Sequence, residues 1–181
     1  SWPVSRVFEL NMAVSLALHK VLSTYAEVQL KWPNDILIGK EKLGGILIEP
    51  SVRGEFIHRV IIGCGINVLQ KSWTEGVNAT SLDLKGFQVP ELEELRKEIA
   101  TRVSGEIERL IRTGKIDKTA YLKLCIGFGK EAQYQTGHQT FTAKFVDVDR
   151  LGRQILQLSD GTRKAFDLKE VKLDLNQSFS S

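Results

Sequence analysis

The pattern of hydrophobic positions changes its period once within the first third of the chain. Between residues 8 and 25, apolar side chains recur every three or four positions, which predicts a well-buried helix. From residue 28 onward apolar and polar residues alternate, as Val28, Leu30 and Trp32 do around Gln29 and Lys31. Alternation of this kind is typical of a strand. The sequence therefore predicts a helix followed by a sheet.

Short turns divide the next forty residues into several strands. The segment 33–35 interrupts the first strand, and 39–42 and 51–54 have the composition of tight connections. No helical pattern intervenes, which indicates an antiparallel or mixed sheet and not a βαβ array. The predicted strands are 28–32, 36–38, 43–49, 56–62 and 66–69.

The second half of the chain begins with helices and ends with short strands. After an irregular polar segment, residues 91–112 carry one apolar stripe, with acidic residues at the start and arginines at the end. Gly114 is a plausible stop for this helix, and a shorter one is predicted at 117–125. The following strand-like runs favour a small barrel. They are 131–136, 140–148, 154–158, 162–166 and 171–175.

These elements predict an α+β fold in two domains. Residues 1–127 would form a mixed or antiparallel sheet packed with helices, and residues 128–181 a small β-barrel. The chain has 181 residues, 42% hydrophobic and 26% charged, which is an ordinary globular composition.

Composition excludes some classes of function. The formal net charge is +3, from 25 basic and 22 acidic residues without a run of one sign, which argues against a nucleic-acid partner. No segment reaches the ~18 apolar residues of a membrane span. Cys64 and Cys125 form no CxxC pair, which favours a reducing cytoplasm. His19, His58 and His138 lack the spacing of metal ligands, so we predict no metal site.

Three blocks place polar groups and glycines among apolar strand residues. They are Lys31-Trp32-Pro33-Asn34-Asp35, Lys42-Leu43-Gly44-Gly45-Ile46-Leu47-Ile48-Glu49 and Gly63-Cys64-Gly65-Ile66-Asn67-Val68. The glycine pair of the second block indicates either a bulge or close approach of the backbone to a ligand. The third block begins like a dinucleotide fingerprint, but a valine stands where its last glycine belongs. By spacing alone, the lysine of the first block is best explained as a solvated residue on a polar strand face.

In their order, the three blocks resemble the motif set of biotin protein ligases. Residues 78–82, Asn-Ala-Thr-Ser-Leu, look like the next landmark of that family. Residues 129–175 are similar to its small C-terminal SH3-like barrel. The resemblance spans essentially the whole chain and implies the biotin/lipoate ligase, class II synthetase-like fold followed by an SH3-like domain.

The resemblance also implies a reaction. Biotin protein ligases use ATP, with Mg²⁺, to convert biotin into biotinyl-5′-AMP, and then transfer biotin to a lysine of a biotin carboxyl carrier domain. Lys31 would be the catalytic residue, touching the biotin carboxyl group and the α-phosphate. A fixed cation there offsets the repulsion between two anions and stabilises charge that develops in the transition state.

The remaining site residues follow from the same resemblance. Without it, the asparagines and Asp35 are equally explained as turn or strand-end residues, and Lys42 as a hairpin lysine. The residues implied to bind biotin are Lys31, Ile36, Gly44, Gly45, Gly63 and Gly65. Those implied to bind the nucleotide are Asn34, Asp35, Lys42 and Asn67.

The chain departs from the family in one respect. The Gly-Arg-Gly-Arg type loop and the Ser/Thr-rich segment that binds the ureido ring of biotin are not found in it, and the motif order places both before Ser1. We therefore expect a fragment with an incomplete site and an exposed sheet edge that drives self-association into a homo-oligomer. The alternatives are a lipoate-type ligase and a binding module without catalytic activity.

Overall fold

A computed structural model describes residues 2–88, 91–137 and 139–176 of the protein, so His138 lies outside the described residues. The α-helices are α1 (Val7–Leu22), α2 (Leu92–Thr113) and α3 (Lys118–Leu124), with a short 3-10 helix at Val4–Arg6. The strands of the first sheet are β1 (Trp2–Pro3), β2 (Val28–Lys31), β3 (Asp35–Ile38), β4 (Glu41–Arg53) and β5 (Phe56–Ile66). Those of the second sheet are β6 (Glu131–Thr136), β7 (Gln139–Val148), β8 (Gln154–Leu158), β9 (Arg163–Phe166) and β10 (Lys172–Leu173).

The first sheet is antiparallel throughout, with strand order β1-β5-β4-β3-β2. The segment between β2 and β3 reverses the chain, because Lys31 lies opposite Asp35. The turn expected at 51–54 forms later, since Ser51 and Arg53 still pair with β5. Gly54 then makes the turn with a φ of 59°, a conformation that glycine adopts at little cost.

The helices cover one face of this sheet. α1 ends at Leu22, three residues before the predicted end, and is buried along most of its length. α2 ends where the sequence predicted: Gly114 has a φ of 64° and donates its amide hydrogen to the Leu110 carbonyl. In α3, the Asp117 side chain accepts a hydrogen bond from the Ala120 amide. No helix of the described residues is long and apolar enough to cross a membrane.

The second sheet is also antiparallel, with strand order β10-β6-β7-β8-β9. Its core side chains include Tyr134, Phe145 and Leu156, all fully buried. In the described residues the sheet remains open, with β9 and β10 at its edges. The barrel prediction is therefore confirmed only as far as a five-stranded antiparallel sheet.

The turn between β7 and β8 joins the second sheet to the first. Gly152 has a φ of 88°, and a Cβ atom there would lie only 2.5 Å from the Phe8 ring. The Trp32 indole Nε1 donates to the Gly152 carbonyl at 2.9 Å. Buried residues of both sheets belong to one continuous core, so the domain boundary near residue 127 stays a prediction.

Candidate active site

Four residues of the three motifs form one row across the first sheet. Lys31 lies opposite Asp35, Asp35 opposite Gly45, and Gly45 opposite Gly65. Directly opposed residues of an antiparallel sheet project from the same face. The row therefore places two charged side chains beside two glycines, which leave space above the sheet next to the charges.

A single carboxylate lies between two ammonium groups at this row. Lys42 Nζ is 2.5 Å from Asp35 Oδ1, and Lys31 Nζ is 3.4 Å from Asp35 Oδ2. The side chains of Asp35, Lys31 and Lys42 are 18%, 26% and 47% exposed, so the group is open to solvent from the lysine side. Two cations against one anion leave a positive charge that favours an anionic ligand.

A bulge in β4 brings Lys42 to this group. Lys42 pairs with Leu37 but Gly44 pairs with Ile36, so Leu43 is an extra residue in β4. Bulges redirect side chains in this way. The Lys42 Nζ atom lies 3.4 Å from the position that a Cβ atom of Gly45 would occupy. The bulge therefore lies next to the glycine pair, both members of which pair in regular register with β3 and β5, and Gly45 leaves room for the Lys42 side chain.

Gly44 and Ile36 lie on the other side of the sheet. A Cβ atom at Gly44 would be 2.4 Å from the Gly65 carbonyl oxygen and 2.8 Å from Ile66 Cδ1, so the neighbouring strand requires this glycine. The Ile36 side chain is fully buried in the core. The structure does not bring these two residues to the open face, and their contact with biotin stays a prediction.

An open cleft of about 460 Å³ lies above the glycines. It is lined by Asn34, Lys42, Gly45, Ile46, Leu47, Gly63, Cys64 and Gly65. Lys31 is absent from this lining and instead lines a second cavity, together with Trp32, Pro33 and Asn34. Burial raises the pKa of the Cys64 thiol, which disfavours the thiolate form that a cysteine nucleophile needs.

The two asparagines of the motifs hold backbone segments together. Asn34 Nδ2 donates to the Ile46 carbonyl at 2.7 Å, which fixes the turn against β4. Asn67 Nδ2 donates to the carbonyls of Thr80 at 3.1 Å and Lys42 at 3.4 Å. Both asparagines thus shape the cleft around Lys42, while their contact with a nucleotide stays a prediction.

Sequence reasoning missed the part of the loop that supports Lys42. The Lys42 amide donates to the Asn78 carbonyl at 3.0 Å, and the Thr80 amide donates to the Lys42 carbonyl at 2.9 Å. Thr80 and Ser81 are buried, although the preceding residues are polar and exposed. Only the resemblance of residues 78–82 to a family landmark marked this segment, because it has no hydrophobic period.

Comparison with known sequences finds similarity to one family, strongest in the first part of the chain. Residues 4–67 match the model of the biotin/lipoate A/B protein ligase family. The bifunctional ligase/repressor BirA of Bacillus subtilis is 26% identical over 188 residues, covering 91% of this chain and 53% of that protein. The biotin–[acetyl-CoA-carboxylase] ligase of Mycobacterium tuberculosis is 42% identical over 86 residues, covering 48% of this chain and 29% of that protein. The chain spans about half the length of the Bacillus relatives it matches.

Comparison with solved structures identifies the fold. The biotin protein ligase from Aquifex aeolicus superposes with a TM-score of 0.73 at 22% identity, covering 93% of this chain and 75% of that one. The same ligase in complex with biotin and ATP gives a TM-score of 0.72 at 24% identity, covering 93% and 72%. The described chain therefore has the fold of a biotin protein ligase catalytic domain, and the α+β prediction with an antiparallel sheet is confirmed.

Proposed function

We propose that this chain is part of a biotin protein ligase of the kind named biotin–[acetyl-CoA-carboxylase] ligase. Its substrates would be biotin and ATP, and its acceptor a lysine of a biotin carboxyl carrier protein. The observation that carries the proposal is the Lys31–Asp35–Lys42 group beside the glycine-bordered cleft, in the segment that matches the ligase family. An enzyme that joins a carboxylate to a phosphate needs fixed positive charge at the place where these two anions meet.

In the first step a carboxylate oxygen of biotin attacks the α-phosphorus of ATP. An O–P bond forms, the bond to the β-phosphate oxygen breaks, and pyrophosphate leaves with the electron pair. Lys42, which lines the cleft, and Lys31, which lies at its border, reduce the repulsion between the reactants. Asp35 positions both ammonium groups through its two oxygens.

In the second step the amine of the acceptor lysine attacks the carbonyl carbon of biotinyl-5′-AMP. A C–N bond forms, the C–O bond to the phosphate breaks, AMP leaves, and the amine proton passes to solvent. The cleft is open, and the Leu47 side chain at its wall is 57% exposed. This openness supports access by the lysine of a folded carrier domain, which is too large to enter an enclosed pocket.

Several further features belong to the proposal. Mg²⁺ would accompany ATP and be held mainly through the phosphates; Asp35 is already engaged by two lysines. The second sheet would be the SH3-like domain. We also propose a cytoplasmic location, which the two free thiols favour, and association into a homo-oligomer.

The direct test is an adenylation assay on the purified chain with biotin and radiolabelled ATP. We expect Lys42→Ala and Lys31→Ala each to reduce the rate of biotinyl-5′-AMP formation by about 10²–10³-fold, the usual effect of removing one electrostatic contact to a transition state. Lys40→Ala is the matched control, because Lys40 is an exposed lysine of the same hairpin outside the cleft. A larger loss for Lys42 than for Lys31 would make Lys42 the principal catalytic residue.

A binding measurement complements the assay, since it does not require turnover. We expect calorimetry to detect a non-hydrolysable biotinyl-adenylate analogue binding to the unaltered chain, more weakly to Lys42→Ala. Tighter binding of the corresponding lipoyl analogue would favour a lipoate-type ligase. Binding of neither analogue, together with no adenylate formation, would refute the proposed function.

A further inference from the structure

The backbone of Lys42 is held by a segment that lies much further along the chain. Residues 78–80, which we call the strap, meet β4 in a parallel bridge between Lys42 and Ala79. The Lys42 amide donates to the Asn78 carbonyl at 3.0 Å, and the Thr80 amide donates to the Lys42 carbonyl at 2.9 Å. The peptide groups on both sides of the Lys42 Cα atom are therefore fixed by the strap. The direction in which the Lys42 side chain leaves β4 depends on these bonds.

The side chain of Asn67 links the strap to Lys42. Its Nδ2 atom donates to the Thr80 carbonyl at 3.1 Å and to the Lys42 carbonyl at 3.4 Å. The Asn67 backbone is itself anchored, because its amide donates to the Leu43 carbonyl at 2.8 Å and its carbonyl accepts a hydrogen bond from the Leu82 amide at 3.2 Å. Asn67 therefore holds the two segments together from a fixed position.

The surroundings of Asn67 determine which end of its side-chain amide faces the strap. The carbonyl oxygens of Thr80 and Lys42 can only accept hydrogen bonds, so the NH₂ end of Asn67 must point towards them. Both hydrogens of Nδ2 are used in these two bonds. No donor of the Asn67 side chain then remains for a nucleotide.

The cleft of the proposed active site is lined by Lys42 but not by Asn67. The Lys42 side chain is 47% exposed, and its Nζ atom lies 2.5 Å from Asp35 Oδ1. A long and partly exposed lysine side chain has many rotamers, so its position depends on a fixed backbone and on its ionic partner. The contact of Asn67 with the Lys42 carbonyl is the route by which Asn67 reaches the cleft.

We propose that Asn67 is a positioning residue, which holds the backbone of Lys42 and binds no part of the nucleotide. This inference rests on the proposed function, in which Lys42 reduces the repulsion between biotin and ATP. It replaces the nucleotide contact that the family resemblance implies for Asn67. A catalytic cation that is fixed in advance does not have to be ordered during the reaction, which lowers the barrier.

The test is a double-substitution cycle in the adenylation assay, with kcat and KM for ATP measured for Asn67→Ala, Lys42→Ala, the double variant and the unaltered chain. We expect Asn67→Ala to lower kcat by about 10–100-fold, because a misplacement of about 1 Å can cost about 10²-fold, and to change KM for ATP by less than about twofold. In the Lys42→Ala background the same substitution should lower kcat by less than about threefold, since the group that it positions is gone. Effects that multiply, or a raised KM with unchanged kcat, would assign Asn67 to the nucleotide and overturn the proposal.

Asn67→Asp separates the two roles by their chemistry. Aspartate keeps the shape and the accepting oxygen that a nucleotide amine could use, but it turns a carboxylate oxygen towards two carbonyl oxygens. We expect Asn67→Asp to lower kcat at least as much as Asn67→Ala, and rescue by aspartate would overturn the proposal. Gln70→Ala is the matched control, because the exposed Gln70 side chain lies in the same segment and has no hydrogen-bond partner among the described residues. It should change kcat by less than about twofold. Circular dichroism verifies that each variant folds.

Amide hydrogen exchange, followed by NMR on the full chain, tests the link between Asn67 and Lys42 without turnover. We expect the Lys42 and Thr80 amides to exchange at least about tenfold faster in Asn67→Ala, and at an unchanged rate in Gln70→Ala. Unchanged exchange in Asn67→Ala would show that the strap holds Lys42 without Asn67, and would overturn the proposal. Faster exchange in a chain that forms no biotinyl-adenylate would retain Asn67 as the residue that fixes Lys42 and refute the ligase assignment.

Discussion

At the scale of single residues, two motif glycines on adjacent strands differ in the space they leave for a side chain. A Cβ atom at Gly44 would lie 2.4 Å from the Gly65 carbonyl oxygen, whereas one at Gly65 would meet nothing nearer than 4.0 Å. We expect Gly44→Ala to lower the free energy of unfolding by about 1–3 kcal/mol, the usual cost of overpacking, and Gly65→Ala to change it by less than about 0.5 kcal/mol. Urea denaturation followed by circular dichroism measures both.

The same pair separates stability from ligand binding. A methyl group at Gly65 projects into the cleft, so Gly65→Ala should weaken binding of the biotinyl-adenylate analogue while the fold keeps its stability. Equal destabilisation by the two substitutions would show that the backbone positions of β4 and β5 relax around a methyl group, and that close packing is not what requires glycine at Gly44.

The strand face of the motif residues could be predicted from the sequence, but the register in which the strands pair could not. Alternation placed Lys31 on the polar face of its strand, and the motif resemblance grouped it with Asp35 and Lys42. The extra residue Leu43 then decides which side chains meet, and bulge positions depend on pairing between strands, which local alternation does not report.

At the scale of elements, one hydrogen bond ties the turn between β2 and β3 to the turn between β7 and β8. Trp32 Nε1 donates to the Gly152 carbonyl at 2.9 Å, and the indole is 7% exposed. Trp32→Phe retains an aromatic ring but leaves this carbonyl unpaired, so we expect a loss of about 1–3 kcal/mol in the free energy of unfolding. Thermal and urea unfolding of the variant measure this loss.

Trp73→Phe is the matched control, because Trp73 lies in an irregular surface segment and its indole has no hydrogen-bond partner among the described residues. We expect it to change stability by less than about 0.5 kcal/mol. If Trp32→Phe proves as mild as Trp73→Phe, then apolar contacts, including that of Phe8 in α1 with Gly152, hold the turn between β7 and β8 in place without help from the hydrogen bond.

Elements whose hydrophobic pattern extends over many residues were predicted best. α2 has an apolar stripe of several turns and ends at Gly114 as expected, because both signals are local. β1 was not predicted, because two residues are too few to show an alternating hydrophobic pattern. Its pairing with Ile57 and Phe56 arises only in the folded chain. β4 continues past its predicted end because its partner strand supplies hydrogen bonds to residues of turn-like composition.

At the scale of the whole molecule, the first sheet has one unprotected edge. β5 has β4 on one side, but on the other side β1 pairs only with Phe56 and Ile57, so residues 58–66 have no second strand partner in the described chain. None of these residues is buried, and Ile61 is 53% exposed. Long apolar strand edges recruit further strands, and natural proteins block them with charges, especially lysine. This arrangement accords with the expectation of self-association.

We therefore expect the sedimentation coefficient of the purified chain to rise with protein concentration in analytical ultracentrifugation. Ile61→Lys places a charge on the open face of β5 and should shift the distribution towards monomer. Ile111→Lys is the control, because Ile111 is 61% exposed on α2, away from the strand edge, and adds the same charge. A monomer at all concentrations would exclude self-association through β5. Loss of association in both variants would point to net charge as the cause, since a charge effect does not depend on where the lysine stands.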